Sequence, residues 1–219
     1  MMQESKVMTD YMQSLRGRIL DTAMNAFAAR GIRAVKMDDI AQSLAISKRT
    51  LYEIFDNKEL LLLEGVKLFH NRWEKQIEMQ YAQCKNVMDM VLIMYHDKMM
   101  EFKKTSPQFY ADLIKYPVVL EYLQRRRKKA HNYLVSILQR GVDEGYFRKD
   151  VEIELVATMF KAITEYIMSH QLYKQYAIEQ IFHDIVFVSL RGFCTPEGIV
   201  LFNQVFQDVH KEVKTDTNT

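Results

Sequence analysis

Turn-forming residues are scarce in this chain, and their scarcity limits the folds that it can adopt. The 219 residues include only 7 glycines and 3 prolines. Strand-rich domains need turn signals about every 8–12 residues, and a chain this poor in glycine and proline cannot supply them. Apolar side chains instead recur at three- and four-residue intervals over long stretches, which is the spacing of one helix face. The sequence therefore predicts an all-α fold.

Capping residues and prolines predict where the helices begin and end. A frayed polar arm is expected over residues 1–12, followed by a helix from Ser14 to Arg30 that Gly31 closes. Gly145 is expected to close a long helix in the same way. Further helices are predicted at 58–81, 86–104, 106–116, 118–144, 152–173 and 178–193, with a last one that starts at Thr195.

Residues 37–58 predict two short helices joined by a tight turn. Apolar residues recur at helical spacing up to Leu44, and Ser47 is a suitable N-cap for a new helix. That helix buries its apolar residues and presents polar ones on the opposite side. Together with the helix before them, these two short helices predict a three-helix core made of Phe27, Ile40, Ala41, Leu44, Leu51 and Phe55.

The second short helix carries side chains that can bind DNA. Hydroxyl and cationic groups hydrogen-bond phosphate oxygens, and an arginine such as Arg49 can also fork onto a guanine edge. Arg49 and Lys48 are the predicted contacts to base edges or nearby phosphates. This layout is that of a helix-turn-helix whose second helix enters the major groove. The predicted DNA-binding residues are Lys36, Ser47, Lys48, Arg49, Thr50, Tyr52 and Lys58.

Residues 20–62 resemble the DNA-binding domain of the TetR family of bacterial transcriptional regulators. The matching segments read ILDTAMNAFAARGI, MDDIAQSLAIS and KRTLYEIFDNKELLL. The family hallmark of Thr-Leu-Tyr, an aromatic residue and Lys-Glu-Leu is present as Thr50-Leu51-Tyr52, Phe55 and Lys58-Glu59-Leu60. The resemblance implies a sequence-specific transcriptional regulator, most often a repressor that a small ligand releases from a palindromic operator in double-stranded DNA.

Two positions depart from the family pattern. Lys36 stands where the family has Ser or Thr before the second helix, and lysine cannot accept hydrogen bonds from the helix amides. Asp38 and Asp39 in the first turn are expected to compensate by meeting the positive end of the helix dipole. Ala45 stands where the turn often has Gly, and alanine is tolerable there if the residue keeps φ below zero.

The resemblance also implies how the chain is divided. A helix-turn-helix domain is expected at residues 13–57, and a larger helical ligand-binding and dimerisation domain at 58–211. Residues 212–219 are predicted to form a disordered tail. The formal net charge of +2 is nearly neutral, so the larger domain is not expected to be a second DNA-binding domain.

The helices predicted at 152–173 and 178–193 are apolar on more than one face. A helix of this kind must bury more than one face. One solution is a monomer core crossed by a central helix. The other is a four-helix interface formed with the same pair of helices from a second copy. The resemblance favours the second, because family members pair through their last long helices, and we expect a homodimer.

Methionine and aromatic residues in the larger domain suit an adaptable apolar pocket for an effector. At helical spacing, however, such residues more often form an ordinary core. A mainly apolar or aromatic ligand is expected, because no acidic or arginine cluster stands out among them. The candidate ligand-binding residues are Met94, Met99, Phe102, Phe109, Tyr110, Tyr133, Phe160 and Tyr166.

Other classes of protein lack support in the sequence. No glycine-rich phosphate loop, GxSxG or HExxH motif is present, so we expect neither an enzyme nor a cofactor. The histidines show no metal-ligand spacing, and Cys84 and Cys194 suit reduced thiols in a cytoplasmic protein without membrane attachment. The alternative function is a helical protein-interaction module that has lost DNA binding.

Overall fold

The chain is helical throughout the part that the computed structural model describes, which is residues 2–207, with side chains from Asp10 onward. The one β-type pairing in that range is an isolated bridge between Phe147 and Cys194. The all-α prediction is confirmed, and the predicted tail at 212–219 lies outside the described residues. The elements are α1 (Met2–Arg30), α2 (Met37–Ser43), α3 (Lys48–Ile54), α4 (Lys58–Tyr81), α5 (Val87–Lys104), α6 (Pro107–Leu113), α7 (Pro117–Asp143), α8 (Ile153–Ser169), a 3-10 turn (Leu172–Lys174), α9 (Ile178–Ile181), a π-helical segment (Phe182–Phe187), α10 (Val188–Phe193) and α11 (Pro196–Val205).

Two compact units divide the chain. The first unit contains Met1–Ile77 and Lys104–Gln124, and the second contains Glu78–Lys103 and Arg125–Thr219. The first unit thus includes most of α4, all of α6 and the start of α7 beside the three N-terminal helices. The functional division predicted at residues 57 and 58 is a different kind of boundary, and it stays a prediction.

The core of the first unit is the predicted one with additions from the loop between α1 and α2. Phe27 and Leu51 are fully buried, and Ile40, Ala41 and Phe55 expose 3% or less of their surface. Leu44 is only partly buried against this cluster. Two further loop residues are fully buried, and periodicity within helices gives no signal for them: Ile32 and Val35.

Helix α1 starts much earlier than the sequence predicted. The polar arm expected over residues 1–12 is helical from Met2 onward, so this prediction was wrong. The segment contains no glycine or proline, and it includes four Met together with Gln, Glu and Lys, which are good helix formers. A polar composition therefore does not prevent the helix from extending toward the N-terminus.

The end of α1 is held against α6. Gly31 has a φ of +83°, and a Cβ atom there would lie 2.6 Å from the Gln108 side chain. The Asp112 carboxylate on α6 accepts hydrogen bonds from the Arg33 backbone N–H at 2.8 Å and from the Gln108 amide at 2.7 Å. The Ser106 N–H donates to the Ala28 carbonyl at 2.7 Å. Helix α6 is therefore hydrogen-bonded to the loop that leads into α2.

Two helix ends in the second unit test the capping predictions. Gly145 has a φ of +81° just after α7, as predicted for a closing glycine. Helix α8 ends at Ser169 rather than at Tyr173, so the predicted end was four residues too late. The chain turns at Gln171, whose φ of +52° is left-handed, and a short 3-10 turn follows.

The helix predicted over 178–193 is interrupted by six π-helical residues, Phe182–Phe187, which corrects the prediction of one regular helix. In an α-helix, residues five apart point about 140° away from each other. The wider π turn instead lets Phe182 and Phe187 both pack on Tyr95, with ring centroids at 5.5 and 5.2 Å. Phe187 also packs on Phe202 and Phe206. Aromatic packing in the second unit thus accounts for the interruption.

Candidate nucleic-acid interface

Helix α2 is capped by its own carboxylates. Lys36 occupies the N-cap with extended backbone, and its N–H donates to the Asp39 carboxylate at 2.9 Å. Asp38, in the same turn, forms an ion pair with Lys48 of α3. The Lys36 side chain does not cap the helix, and the Asp39 carboxylate instead accepts the backbone N–H of Lys36 at the helix start. This is the compensation expected of an acidic first turn.

The turn between α2 and α3 has the hydrogen bonds of a Schellman motif. The Ile46 N–H donates to the Ala41 carbonyl at 3.0 Å, and the Ala45 N–H donates to the Gln42 carbonyl at 3.1 Å. This motif needs a left-handed residue after the helix, and Ala45 has a φ of +52°. Ala45 therefore does not meet the condition, a φ below zero, under which alanine is tolerated in this turn without strain. The turn therefore holds an alanine in a conformation that glycine adopts without strain.

Replacing Ala45 with Gly should stabilise the protein. An alanine in the left-handed conformation costs about 1–2 kcal/mol, which glycine avoids. Glycine in turn loses more conformational entropy on folding, which offsets about 0.5–1 kcal/mol of this gain. We expect Ala45→Gly to raise the free energy of unfolding by about 0.5–1 kcal/mol in urea titrations at fixed protein concentration. The matched control is Ala130→Gly in the middle of α7, which should lower it by a similar amount. A loss of stability in Ala45→Gly would contradict the strain in this turn.

Helix α3 is fixed by a cap at its start and one buried residue in its middle. The Ser47 hydroxyl accepts the Thr50 N–H at 3.0 Å, as predicted for this N-cap. Leu51 is fully buried, whereas Tyr52 exposes 45% of its surface. At about 100° per residue, the side of α3 opposite Leu51 carries Arg49 and Glu53. The helix therefore presents polar side chains to solvent along its whole length.

Both basic residues of α3 are paired with acids. The Arg49 Nε donates to a Glu53 carboxylate oxygen at 2.9 Å, and the Lys48 ammonium pairs with Asp38. These hydrogen bonds raise the pKa of Arg49 and the pKa of Lys48 above their usual values, so both side chains stay charged. Glu53 was missed by the sequence analysis, although its position four residues after Arg49 is the spacing of a helical ion pair.

Lys58 differs from the other predicted contacts because its side chain lies partly buried beside α1. Its ammonium group is 3.5 Å from the Arg33 carbonyl oxygen and 5.9 Å from the centre of the Phe27 ring. Desolvation lowers the pKa of Lys58, while Asp112 and Asp39 oppose that effect. Thr50 is also half-buried. The exposed members of the predicted DNA-binding set are Lys36, Ser47, Lys48, Arg49 and Tyr52.

The predicted ligand-binding residues are spread over both units. Phe109 and Tyr110 belong to the first unit, where their rings contact each other. Three rings of the second unit have different partners, since Phe102 contacts Tyr173, Tyr133 stacks on Tyr81, and Phe160 contacts Phe193. Met99 is buried and Met94 is half-buried. Tyr166 is 56% exposed on α8.

The cysteines and histidines form no reactive or metal-binding cluster in the described part of the chain. Burial raises the pKa of the Cys194 thiol to about 11, and desolvation also raises the pKa of the Cys84 thiol. Residues 2–207 contain no group of three or more His, Cys, Asp or Glu side chains placed to hold a metal ion. Each helix in that range is too short or too polar to cross a bilayer.

These features define a helix-turn-helix, a motif whose second helix, here α3, is the one that enters the major groove in DNA-binding proteins. Residues 19–64 match the sequence model of the family described as "Bacterial regulatory proteins, tetR family". That match lies in the first unit, and the relatives that resemble a larger part of the chain are transcriptional regulators rather than enzymes. These relatives support the DNA-binding regulator that the sequence resemblance implied.

Relatives cover most of the chain. The HTH-type transcriptional repressor KstR2 of Mycobacterium tuberculosis is 28% identical over 164 residues, which is 69% of this chain and 78% of the repressor. Its solved structure, described as a ketosteroid transcriptional regulator, has a TM-score of 0.56 at 24% identity and covers 82% of this chain and 95% of KstR2. A transcriptional regulator from Saccharomonospora viridis in complex with choline has a TM-score of 0.70 at 17% identity, covering 84% and 99%. The two solved structures show the shared fold.

Proposed function

We propose that this protein represses transcription as a homodimer bound to a palindromic operator, and that a small, mainly apolar or aromatic ligand releases it. The DNA-binding activity belongs to the family. The palindrome, the dimer and the ligand are the parts of the proposal that need support from the chain itself.

The face of α3 opposite Leu51 is the observation that carries the DNA-binding part of the proposal. Arg49 exposes 89% of its side chain there, and Lys48 exposes 65% beside it. Tyr52 and Lys36 add a phenol and a third exposed cation to the same domain. Cations and hydroxyls position a helix on phosphates, and the planar fork of arginine discriminates guanine from other bases. This is the chemistry that an operator-binding helix requires.

Two exposed stripes in the second unit support the homodimer. On α8, Leu155, Met159, Ala162 and Tyr166 follow the spacing of one helix face, and Leu155 and Tyr166 expose 69% and 56% of their surface. On α10, Val188 is 60% exposed, and the space around Gly192 is open to an added side chain. Exposed apolar side chains on two helices are stabilised when they are covered, and a second copy would cover both helices at once with two-fold symmetry. Two copies then carry two recognition helices, as a palindrome requires.

The apolar character of the ligand has two supports. The candidate lining residues of the second unit are methionines and aromatics, with Met99, Phe102, Tyr133 and Phe160 buried or half-buried. In addition, the relative KstR2 is described as a ketosteroid transcriptional regulator. Ketosteroids are rigid molecules that are mainly apolar. Release requires that the ligand bind tighter to a conformation of the dimer that fits the operator poorly.

Arg49→Ala tests the assignment of the recognition helix. We expect operator affinity to fall by about 1–3 kcal/mol, with a loss of preference at the base pair that Arg49 contacts. Tyr52→Phe removes one hydroxyl at an exposed position, and it should weaken binding to all DNA sequences alike. Fluorescence anisotropy with an enriched operator and its single-base variants measures both effects.

Two outcomes would contradict this assignment. The first is unchanged affinity and base preference in Arg49→Ala. The second is DNA binding by the wild-type protein that does not weaken as the salt concentration is raised. Each phosphate that a protein neutralises releases counterions, so a plot of log affinity against log salt concentration should fall with a slope of about −0.9 per phosphate. A protein that binds no DNA at any salt concentration would fit the protein-interaction alternative instead.

A further inference from the structure

The most exposed ridge of α3 carries a pair of opposite charges. Counted at about 100° per residue, Arg49 and Glu53 each lie about 160° from the buried Leu51, one on either side of the opposite direction. No other positions of this seven-residue helix lie as far from the buried side. A side chain on this ridge meets the floor of the major groove when the helix enters it. An acid in such a position would normally be repelled by DNA, so its presence calls for a reason.

The contact between the two side chains uses only one of the donors of Arg49. The Nε–H donates to Glu53 Oε1 at 2.9 Å, and 89% of the arginine side chain and 55% of the glutamate side chain remain exposed. The two terminal amino groups point away from Nε because the guanidinium is a rigid planar fork. They are the groups that bind O6 and N7 of one guanine end-on. The pair therefore restrains the arginine without occupying the atoms that read a base.

We propose that Glu53 is a positioning residue for specificity, which orients Arg49 toward one guanine and weakens binding to unselected DNA. This inference rests on the proposed operator-binding function. Positioning lowers the entropy that Arg49 loses when it binds the correct base. The negative charge of Glu53 opposes the phosphate attraction that drives binding to every sequence. Both effects increase the ratio of specific to non-specific affinity.

Three variants of the full chain separate positioning from charge. Glu53→Gln keeps a side-chain oxygen that accepts the Arg49 Nε–H but removes the charge. Glu53→Ala removes both. Asp38→Asn is the matched control, since it removes the same charge beside the other basic residue of α3, Lys48, without altering the Arg49 contact. The probes are an operator enriched from random DNA, the same operator with the Arg49-dependent guanine replaced, and a scrambled duplex of equal length.

We expect Glu53→Ala to reduce the ratio of affinities for the operator with and without that guanine by about tenfold, which lies within the range of one bidentate contact. Glu53→Gln should retain discrimination to within about threefold, because its oxygen still accepts the arginine N–H. Glu53→Gln and Asp38→Asn should both bind the scrambled duplex more tightly and give a salt dependence steeper by about one ion. In an Arg49→Ala background, Glu53→Ala should have no further effect on discrimination.

The outcomes distinguish this inference from the function on which it rests. If the wild-type protein enriches no operator, the proposed function fails. If it enriches one and Glu53→Ala keeps full discrimination at every guanine, Glu53 does not position Arg49 and the inference is overturned. If Glu53→Ala loses discrimination equally with and without Arg49, the glutamate acts on another base, which also overturns it. Near-identical unfolding of all variants excludes a loss of fold, since these positions are exposed.

Discussion

Leu155→Asp should convert the protein from a dimer into a monomer. Leu155 exposes 69% of its surface in the single chain, and a two-fold interface would bury it in both copies. The variant then places a carboxylate twice in an apolar interface, which costs several kcal/mol and raises the dimer dissociation constant by at least about 100-fold. We expect sedimentation velocity at micromolar concentration to give the mass of one chain for the variant and of two chains for the wild type.

The same substitution should cost operator affinity although it lies outside the DNA-binding unit. A monomer contacts only one half-site. In the dimer, binding of one half-site holds the second recognition helix near the other half-site at a high effective concentration, and the variant loses this effect. Affinity for the operator should therefore fall by about 100-fold or more. Ile114→Asp is the matched control, because Ile114 is 67% exposed but belongs to the first unit. A dimeric Leu155→Asp variant, or equal losses in both variants, would contradict the assignment of the α8 and α10 faces.

Asp112→Ala should have the largest effect on folding stability among polar substitutions. Asp112 is fully buried, and its carboxylate accepts the Arg33 N–H and the Gln108 amide. The variant leaves the Arg33 N–H without this acceptor, at about 1–3 kcal/mol, whereas the exposed Gln108 amide can donate to water, so we expect a loss of about 1–3 kcal/mol in the free energy of unfolding. Urea titration measures this loss, and hydrogen exchange should show faster exchange at the Arg33 amide.

The control for this prediction is Asp56→Ala, because Asp56 is an exposed acid on the same unit. It should change stability by less than about 0.5 kcal/mol. The intermediate variant Asp112→Asn keeps one oxygen, so its cost should fall between the two. If Asp112→Ala unfolds like the control while the Arg33 amide stays protected, the loop is held by other contacts and the role given to Asp112 is wrong.

Local interactions explain why much of the fold is predictable from the sequence. Several helix ends are set by residues that act within a few positions of themselves: the N-cap at Ser47, the closing glycines at 31 and 145, and the break before Pro117. The residue type identifies each of these signals, such as a hydroxyl that accepts a hydrogen bond from a nearby amide, or a glycine that adopts a positive φ. Apolar periodicity then locates the core around Phe27 and Leu51.

The features that the sequence did not predict depend on contacts between distant residues. Asp112 lies 79 positions from Arg33, whose backbone it holds, and no local pattern marks such a pair. The π-helical segment follows from packing of Phe182 and Phe187 on Tyr95, which is far away in the chain. Ala45 adopts a left-handed φ because the two helices that it joins fix the turn, although alanine itself disfavours that conformation.

The candidate site divides in the same way. The basic and hydroxyl residues of α3 were predicted as DNA contacts from their types and spacing, and that role stays a prediction. Their partners were harder to identify, because Lys48 pairs with Asp38 on another helix, and Lys58 turns toward Arg33. The Arg49–Glu53 pair is the exception, since its i,i+4 spacing is visible in the sequence. Attention to acids near a recognition helix, as well as to cations, would have found it.

Selection of bound sequences from a random DNA pool, with the purified full chain at near-physiological salt, tests the central claim most directly. We expect enrichment of a palindrome whose half-sites lie about one helical turn apart or slightly more, each with a guanine that Arg49 reads. Enrichment of single, unpaired half-sites would contradict the dimeric mode of binding. Recovery of no sequence above background, repeated after denaturation and refolding to remove bound ligand, would contradict operator recognition itself.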